Sequence, residues 1–195
     1  MANDPILVVP HAAIETWLRT SRVAWTFVRA SFFHQNLSTT HLTDIRDRDE
    51  IMVPAGRGAT AFVDLEDIGA IAAAALLAPS SHADTDTADT VTGSEALTYQ
   101  QVAQILTDEL GRPIRYAQTG IMRYLQHARR TLGMPWGMVL FTAAIYTTAR
   151  LGMAGELTDT VRGVLGREPI RFAEIAHRER AVWNPAQTTA ALPTT

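Results

Sequence analysis

The 195-residue sequence contains no cysteine and no lysine. Without cysteine there is no disulfide, no thiolate zinc site and no cysteine nucleophile, and the composition suits a reducing cytoplasm. All 17 basic residues are arginine. There is therefore no phosphate-loop lysine, no Schiff-base lysine and no Tyr-x-x-x-Lys pair of the usual short-chain dehydrogenase kind. Residues 1–9 lack a basic segment followed by a long apolar run, so no signal peptide is expected there. The six histidines show no His-Glu-x-x-His or other metal spacing, and no metal site is expected. The lack of a Gly-x-Ser-x-Gly elbow argues against a serine hydrolase. A net charge of only -3 gives no reason to expect nucleic acid or an anionic membrane as partner.

What is present reads as a soluble α/β chain. Hydrophobic residues make up 47% and charged residues 19%, enough to bury a core. The uncharged run 131–149, between Arg130 and Arg150, has the length of a membrane span. Gly133, Pro135, Gly137 and several threonines dilute its hydrophobicity, so a buried helix is expected instead.

Residues 10–21 predict a helix: proline suits its first turn, and Ile14, Trp17 and Leu18 share a face. Residues 23–29 are rich in β-branched and aromatic side chains, as in a buried strand. Residues 31–46 are expected to form a second helix packed through Phe33, Leu37 and Ile45. Short strands at 51–54 and 60–63 flank a turn at Gly56, Arg57 and Gly58. Asp64 then caps an apolar helix over 66–77. The polar stretch 79–89 predicts a surface loop, and 90–92 a short strand. Thr98 and Gln101 form a capping box for a helix with Val102, Ile105, Leu106 and Leu110 at helical spacing, ended by Gly111. Residues 113–117 are extended, and 120–150 are helical with breaks at Gly133 and Pro135. Two short helices over 157–165 and 172–183 complete the pattern.

Gly56, Gly58 and Ala61 match the G-x-G-x-x-A form of a dinucleotide fingerprint. A working fingerprint joins a strand directly to a helix, whereas here 61–63 continue as a strand, so a hairpin turn is expected. His34 and His41, like the other histidines, are read as partly exposed surface residues, and so is His11 at its helix start. Phe32, Phe33 and Asn36 follow the end of the 23–29 strand. Ligands of open parallel α/β sheets bind outside the carboxyl ends of strands, which sets a ligand role for these residues beside the plain core reading.

Several motifs occur in a familiar order. They are His11 to Glu15, Leu18, Ser21, Trp25 to Arg29, and Phe32-Phe-His-Gln-Asn36. Val53-Pro-Ala-Gly56, Ala61-Phe-Val-Asp64 with Asp67 and Ile68, and Thr92-Gly93 follow. Glu95-Ala-Leu-Thr98, Leu110-Gly-Arg-Pro-Ile-Arg-Tyr116, Val164-Leu-Gly-Arg167, Phe172 and Trp183 complete the set. From about residue 9 to residue 183 this order resembles the NmrA-like family of atypical short-chain dehydrogenase/reductases. The family includes NAD(P)H-dependent quinone and azo-dye reductases, and dinucleotide sensors that regulate without turnover.

The resemblance implies the C-terminal part of a Rossmann-like NAD(P)-binding fold plus a small helical substrate domain. The family's first βαβ units, with the glycine-rich fingerprint, have no counterpart here, so a truncated chain is expected. The implied division is 1–93 for the Rossmann-like part, 94–183 for the substrate domain and 184–195 for a disordered tail. His11 is the implied catalytic residue, near the nicotinamide. Ala30, where many members have proline, would line the nicotinamide and substrate pocket with Ser31, Phe32 and Phe33. Asn36, Tyr124 and Trp136 would border the substrate. The implied cofactor is NAD(P)H, and the implied small-molecule partner is a quinone or azo acceptor. Whether this chain binds the cofactor alone, pairs as a homodimer or with a separately encoded N-terminal half, acts as a non-catalytic sensor, or is an inactive remnant stays open.

Overall fold

A computed structural model describes residues 10–21, 25–77 and 87–184. Helix α1 (Pro10–Thr20) precedes strand β1 (Thr26–Ala30), and β2 (Phe32–Phe33) follows after one residue. Helix α2 (Leu42–Arg48), β3 (Glu50–Ile51), β4 (Ala59–Val63) and α3 (Leu65–Leu77) come next. Then come β5 (Thr87–Val91), β6 (Ala96–Thr98), α4 (Tyr99–Leu110) and β7 (Arg115–Tyr116). The chain ends in α5 (Ile121–Arg130), α6 (Trp136–Arg150), α7 (Thr160–Leu165), α8 (Phe172–Arg178) and α9 (Arg180–Trp183).

Three strand pairs are parallel: β1 with β5, β2 with β4, and β3 with β7; β4 also pairs antiparallel with β6. Ser31 is the joint between the first two pairs. Its amide donates to the carbonyl of Val91 at 3.0 Å, and its hydroxyl donates to the carbonyl of Ala61. Two residues on from Val91, the amide of Gly93 donates to the carbonyl of Phe62 at 2.7 Å, and a Cβ there would overlap that oxygen. Only glycine lets the backbones approach so closely.

Local chemistry sets several helix ends. Thr98 and Gln101 make the expected reciprocal cap on α4, and Gly111 closes it in the left-handed region at φ 67°. Asp64 accepts from the amide of Glu66 at 2.8 Å, which starts α3. The buried Asp64 and Asp67 also tie down the C-terminal segment. Asp64 takes Arg178 at 3.0 Å, and Asp67 takes Arg167 at 2.7 Å and the amide of Ile170 at 2.8 Å.

One hydrophobic cluster joins Leu37 and Phe62 to Tyr99, Tyr146, Phe172 and Trp183, so it draws on both sides of residue 93. A smaller one gathers Val63, Ile71, Val91 and Val161. No helix among the described residues is long and apolar enough to cross a membrane.

Three expectations need correction. Residues 31–46 are not one helix: Phe32 and Phe33 pair with Phe62 and Val63, His34–Asn36 make a single 3-10 turn, and α2 starts at Leu42. The ladder to β4 uses backbone groups that a helix would have consumed. The turn at Gly56 is present at φ 61°, but it is no hairpin, because β3 and β4 pair with other strands. His34, His41 and His127 are buried, not surface residues. Burial pushes the pKa of His34 and of His41 down to about 4. The expected loop over 79–89 falls largely outside the described residues, with β5 starting at Thr87, and so does the tail beyond Asn184.

Candidate functional site

The parallel strands β1 and β5 end together at Ala30 and Val91. A cleft of about 900 Å3 opens beside these ends, with α1 along one side. Phe27, Val28, Ala30 and Phe33 give it an apolar wall, while His11, Glu15, Ser31 and Thr90 supply polar groups. Arg29 grips Glu15 through two hydrogen bonds, from Nε at 2.9 Å and Nη2 at 2.5 Å, and holds the pKa of its carboxyl below the ordinary value. At the outer edge Trp25 stacks on Phe27, 4.2 Å between centroids, and the Arg19 guanidinium lies over both rings.

A smaller cavity of about 260 Å3 lies further in. It shares Ala30, Ser31 and Ala154 with the cleft, so these residues partition the two spaces. Phe32, Thr60, Tyr99 and Tyr146 line its inner side. All four tyrosines of the chain pack around this point: Tyr99 meets Tyr116 and Tyr146, and Tyr124 meets Tyr146 edge-on at 5.3 Å. Tyr146 Oη is 2.6 Å from His41 Nε2. Behind it, His127 Nε2 is 2.6 Å from Asp44 Oδ2. Burial pushes the phenols of Tyr99 and Tyr146 well above their ordinary value, so both stay protonated.

The expected site residues divide between these spaces. His11 is exposed and lines the cleft, as does Phe33; Ala30 and Ser31 border both spaces, and Phe32 lines the inner cavity. Asn36 lines neither, and its carbonyl accepts from the amide of His41. Tyr124 is buried one layer behind Tyr146, with its hydroxyl donating to Thr142 at 2.7 Å. Trp136 stands exposed at the start of α6. Sequence reasoning missed Thr60, Tyr99 and Tyr146, which come from three separate elements. One signal was available: Val139, Ala143, Tyr146 and Ala149 recur at the spacing of one buried helix face.

The described residues fit one end of a dinucleotide. The apolar wall beside Ser31 suits a flat ring with a polar substituent. No glycine-rich turn among the described residues leads from a strand into a helix at this cleft: Gly58 runs into β4, and a Cβ on it would overlap the carbonyl of Ala149. The diphosphate therefore has no assigned cradle here.

A model of the NmrA-like family matches residues 10–148. The NAD(P)H azoreductase of Xenophilus azovorans is 34% identical over 169 residues, which cover 87% of this chain and 57% of that protein. An uncharacterized oxidoreductase of Bacillus subtilis (strain 168) is 30% identical over 182 residues, covering 93% and 60%. Among solved structures, the NADPH-dependent quinone oxidoreductase of Escherichia coli complexed with NADPH superposes with a TM-score of 0.78 at 20% identity, covering 90% of this chain and 61% of that one. The Citrobacter sp. triphenylmethane reductase complexed with NADP(H) gives 0.72 at 21%, covering 87% and 57%. These likenesses show an α/β, Rossmann-like fold. The chain spans about 57–60% of the length of the two curated relatives.

Proposed function

The chain belongs to the NmrA-like family, and from that premise we propose that it forms the acceptor side of an NAD(P)H-dependent oxidoreductase acting on a quinone- or azo-type compound. The observation that carries this reading is the partition. A cleft at the carboxyl ends of β1 and β5 and an inner cavity meet across Ala30 and Ser31. The two spaces adjoin at these residues, and the reading requires that a nicotinamide in the cleft and an acceptor in the cavity meet past them at about 3–3.5 Å, as hydride transfer needs.

A reduced nicotinamide, when bound, supplies the hydride. This chain's residues would do the rest. Val28, Ala30 and Phe33 would hold the flat face of the ring in the cleft, with His11 at its entrance. Phe32 and Tyr146 would hold the acceptor in the cavity and exclude water. Under the same reading the diphosphate contacts come from outside the described residues. The cysteine-free composition suits work in the cytoplasm.

The test is a titration of the purified, folded 195-residue chain with NADPH, following quenching of its four tryptophans. Saturable binding at micromolar concentration, followed by quinone-dependent NADPH oxidation, is expected. Binding without turnover would point to a non-catalytic dinucleotide sensor. No binding by a folded chain would sink an enzyme that works alone.

A further inference from the structure

Residues 110–155 hold six arginines and no aspartate or glutamate, in a chain whose net charge is -3. Four of the six, Arg123, Arg129, Arg130 and Arg150, belong to α5 and α6, and all four are exposed. Elsewhere Arg19, Arg46, Arg162, Arg167 and Arg178 each have a carboxylate partner; among the described residues these four have none. The net charge thus hides a local excess of one sign. The same surface is also apolar. Helix α6 carries a single charge, Arg150 at its last position. A helix that is hydrophobic all round belongs in an interior, yet only one face of α6 is covered. Val139, Ala143, Tyr146 and Ala149 join the main core cluster, as do Tyr124 and Ala128 of α5. The opposite faces stay open: Met122 is 68% exposed, Leu140 59% and Trp136 56%, and Phe141 is exposed as well. Single exposed apolar side chains are ordinary on a surface, but a group of large ones on one helical hairpin marks a contact surface.

We propose that the α5–α6 hairpin docks on the surface of an anionic lipid bilayer, with Trp136, Leu140 and Phe141 sunk to the acyl boundary and Arg123, Arg129, Arg130 and Arg150 on the lipid phosphates. Charge and apolarity together select this occupant. A second copy of the chain would bring like charge to like charge, because this face holds no carboxylate to pair with the arginines. A nucleic-acid backbone would satisfy the arginines and leave Met122 and Leu140 in water. A bilayer interface meets both needs: tryptophan and leucine enter it, while arginine lays its stem along apolar surface and keeps its head at the phosphates. Helix α6 is 15 residues long, too short to cross, so it lies on the membrane and does not span it. The docking involves no dinucleotide and stands or falls apart from the proposed reaction.

The test is co-sedimentation of the full chain with vesicles of phosphatidylcholine alone and of an equal mixture of phosphatidylcholine and phosphatidylglycerol. The wild type is expected to bind the mixed vesicles at least about tenfold more tightly at low salt, and high salt should erase most of that gain. Arg123→Gln combined with Arg130→Gln should weaken binding to mixed vesicles by roughly 10- to 25-fold, about five-fold per arginine, and leave binding to phosphatidylcholine unchanged. Leu140→Ser combined with Phe141→Ser should weaken binding to both vesicle types. Arg171→Gln combined with Arg180→Gln removes the same charge elsewhere on the surface and should change little. All six positions are exposed, and thermal melting shows which variants are folded; the arginine pair carries the test by itself if the serine pair does not fold. Three vesicle results would overturn the proposal: no binding of folded wild type to mixed vesicles, equal binding to the two vesicle types, or an arginine pair that binds like the wild type. Two others would hand the face to a different occupant and overturn it as well. One is a dimer in lipid-free solution that the serine pair abolishes, with no vesicle binding. The other is binding to duplex DNA but not to vesicles.

Discussion

The amide of Ser31 donates to the carbonyl of Val91 across 3.0 Å, which ties the end of β1 to the end of β5 at the point where cleft and cavity meet. Its hydroxyl is spent on the carbonyl of Ala61 in the neighbouring strand pair. Ser31→Ala should therefore cost only that side-chain bond, about 1 kcal/mol by urea denaturation. Ser31→Val adds bulk to the partition. Quinone-dependent NADPH oxidation should drop roughly 10- to 100-fold, the scale of a misplaced reactant pair. Equal turnover by the two variants would mean that reactants do not meet across Ser31.

Gly93 offers a sharper test of the frame. Its amide is bonded to the carbonyl of Phe62 at 2.7 Å, and an added Cβ would overlap that backbone oxygen. Backbone cannot yield as a flexible side chain does. Gly93→Ala should destabilise the fold by at least about 2 kcal/mol. Gly163→Ala has open space around it and is the matched control. It lies within α7, where alanine is the better helix former, so it should be neutral or slightly stabilising.

Local signals were legible and tertiary ones were not. The cap at Thr98, the stop at Gly111 and the breaks around Gly133 and Pro135 each rest on a few neighbouring residues, and each is where it was expected. The strand at Phe32 and Phe33 is two residues long and has no period to read; it exists because Phe62 and Val63 pair with it. His34 sits among Gln35 and Asn36 in the sequence, which reads as surface. It is buried because Phe62 and Phe172 stack against its ring. At the candidate site, Phe32 and Phe33 were singled out by the strand end and Ala30 and Ser31 only by the family resemblance, while Thr60, Tyr99 and Tyr146 come together only in three dimensions.

Trp183 shows how far the C-terminal segment is built into the core. It is fully buried, its Nε1 donates to the carbonyl of Leu37 at 3.0 Å, and its own carbonyl accepts from Arg112 at 2.9 Å. Trp183→Ala should cost about 3–5 kcal/mol and lower the melting temperature accordingly. Trp183→Phe should cost clearly less, because it keeps an aromatic ring and loses the hydrogen bond and some volume. If the two variants melt together, packing is not the dominant contribution of this residue.

The buried histidines set the response to acid. Burial lowers the pKa of His34 and of His41 from the ordinary 6.5 to about 4 in the folded chain. The fold thus stabilises the neutral rings, and this contribution is complete above pH 6.5. As pH falls from 6.5 towards 4, the unfolded chain binds protons that the folded chain refuses, and stability is lost, by a few kcal/mol in order of magnitude. The charges around them work against this loss only in part: Asp64 favours protonation of His34 and Arg178 opposes it, while Asp44 favours protonation of His41 and His127 opposes it. His34→Phe separates the contributions. The imidazole packs against Phe62 at 5.7 Å and Phe172 at 5.3 Å, and neither nitrogen makes a hydrogen bond in good geometry, the Ile170 backbone being the polar group that interacts with the ring. A phenyl ring suits that slot and carries no unpaired nitrogen, so the variant should gain about 1 kcal/mol at pH 7.5. At pH 5 the gain should be larger, because the variant has also lost one of the two groups that resist protonation. Urea midpoints at the two pH values decide the matter: parallel pH profiles for wild type and variant would clear His34 of any part in acid sensitivity and leave His41 to account for it.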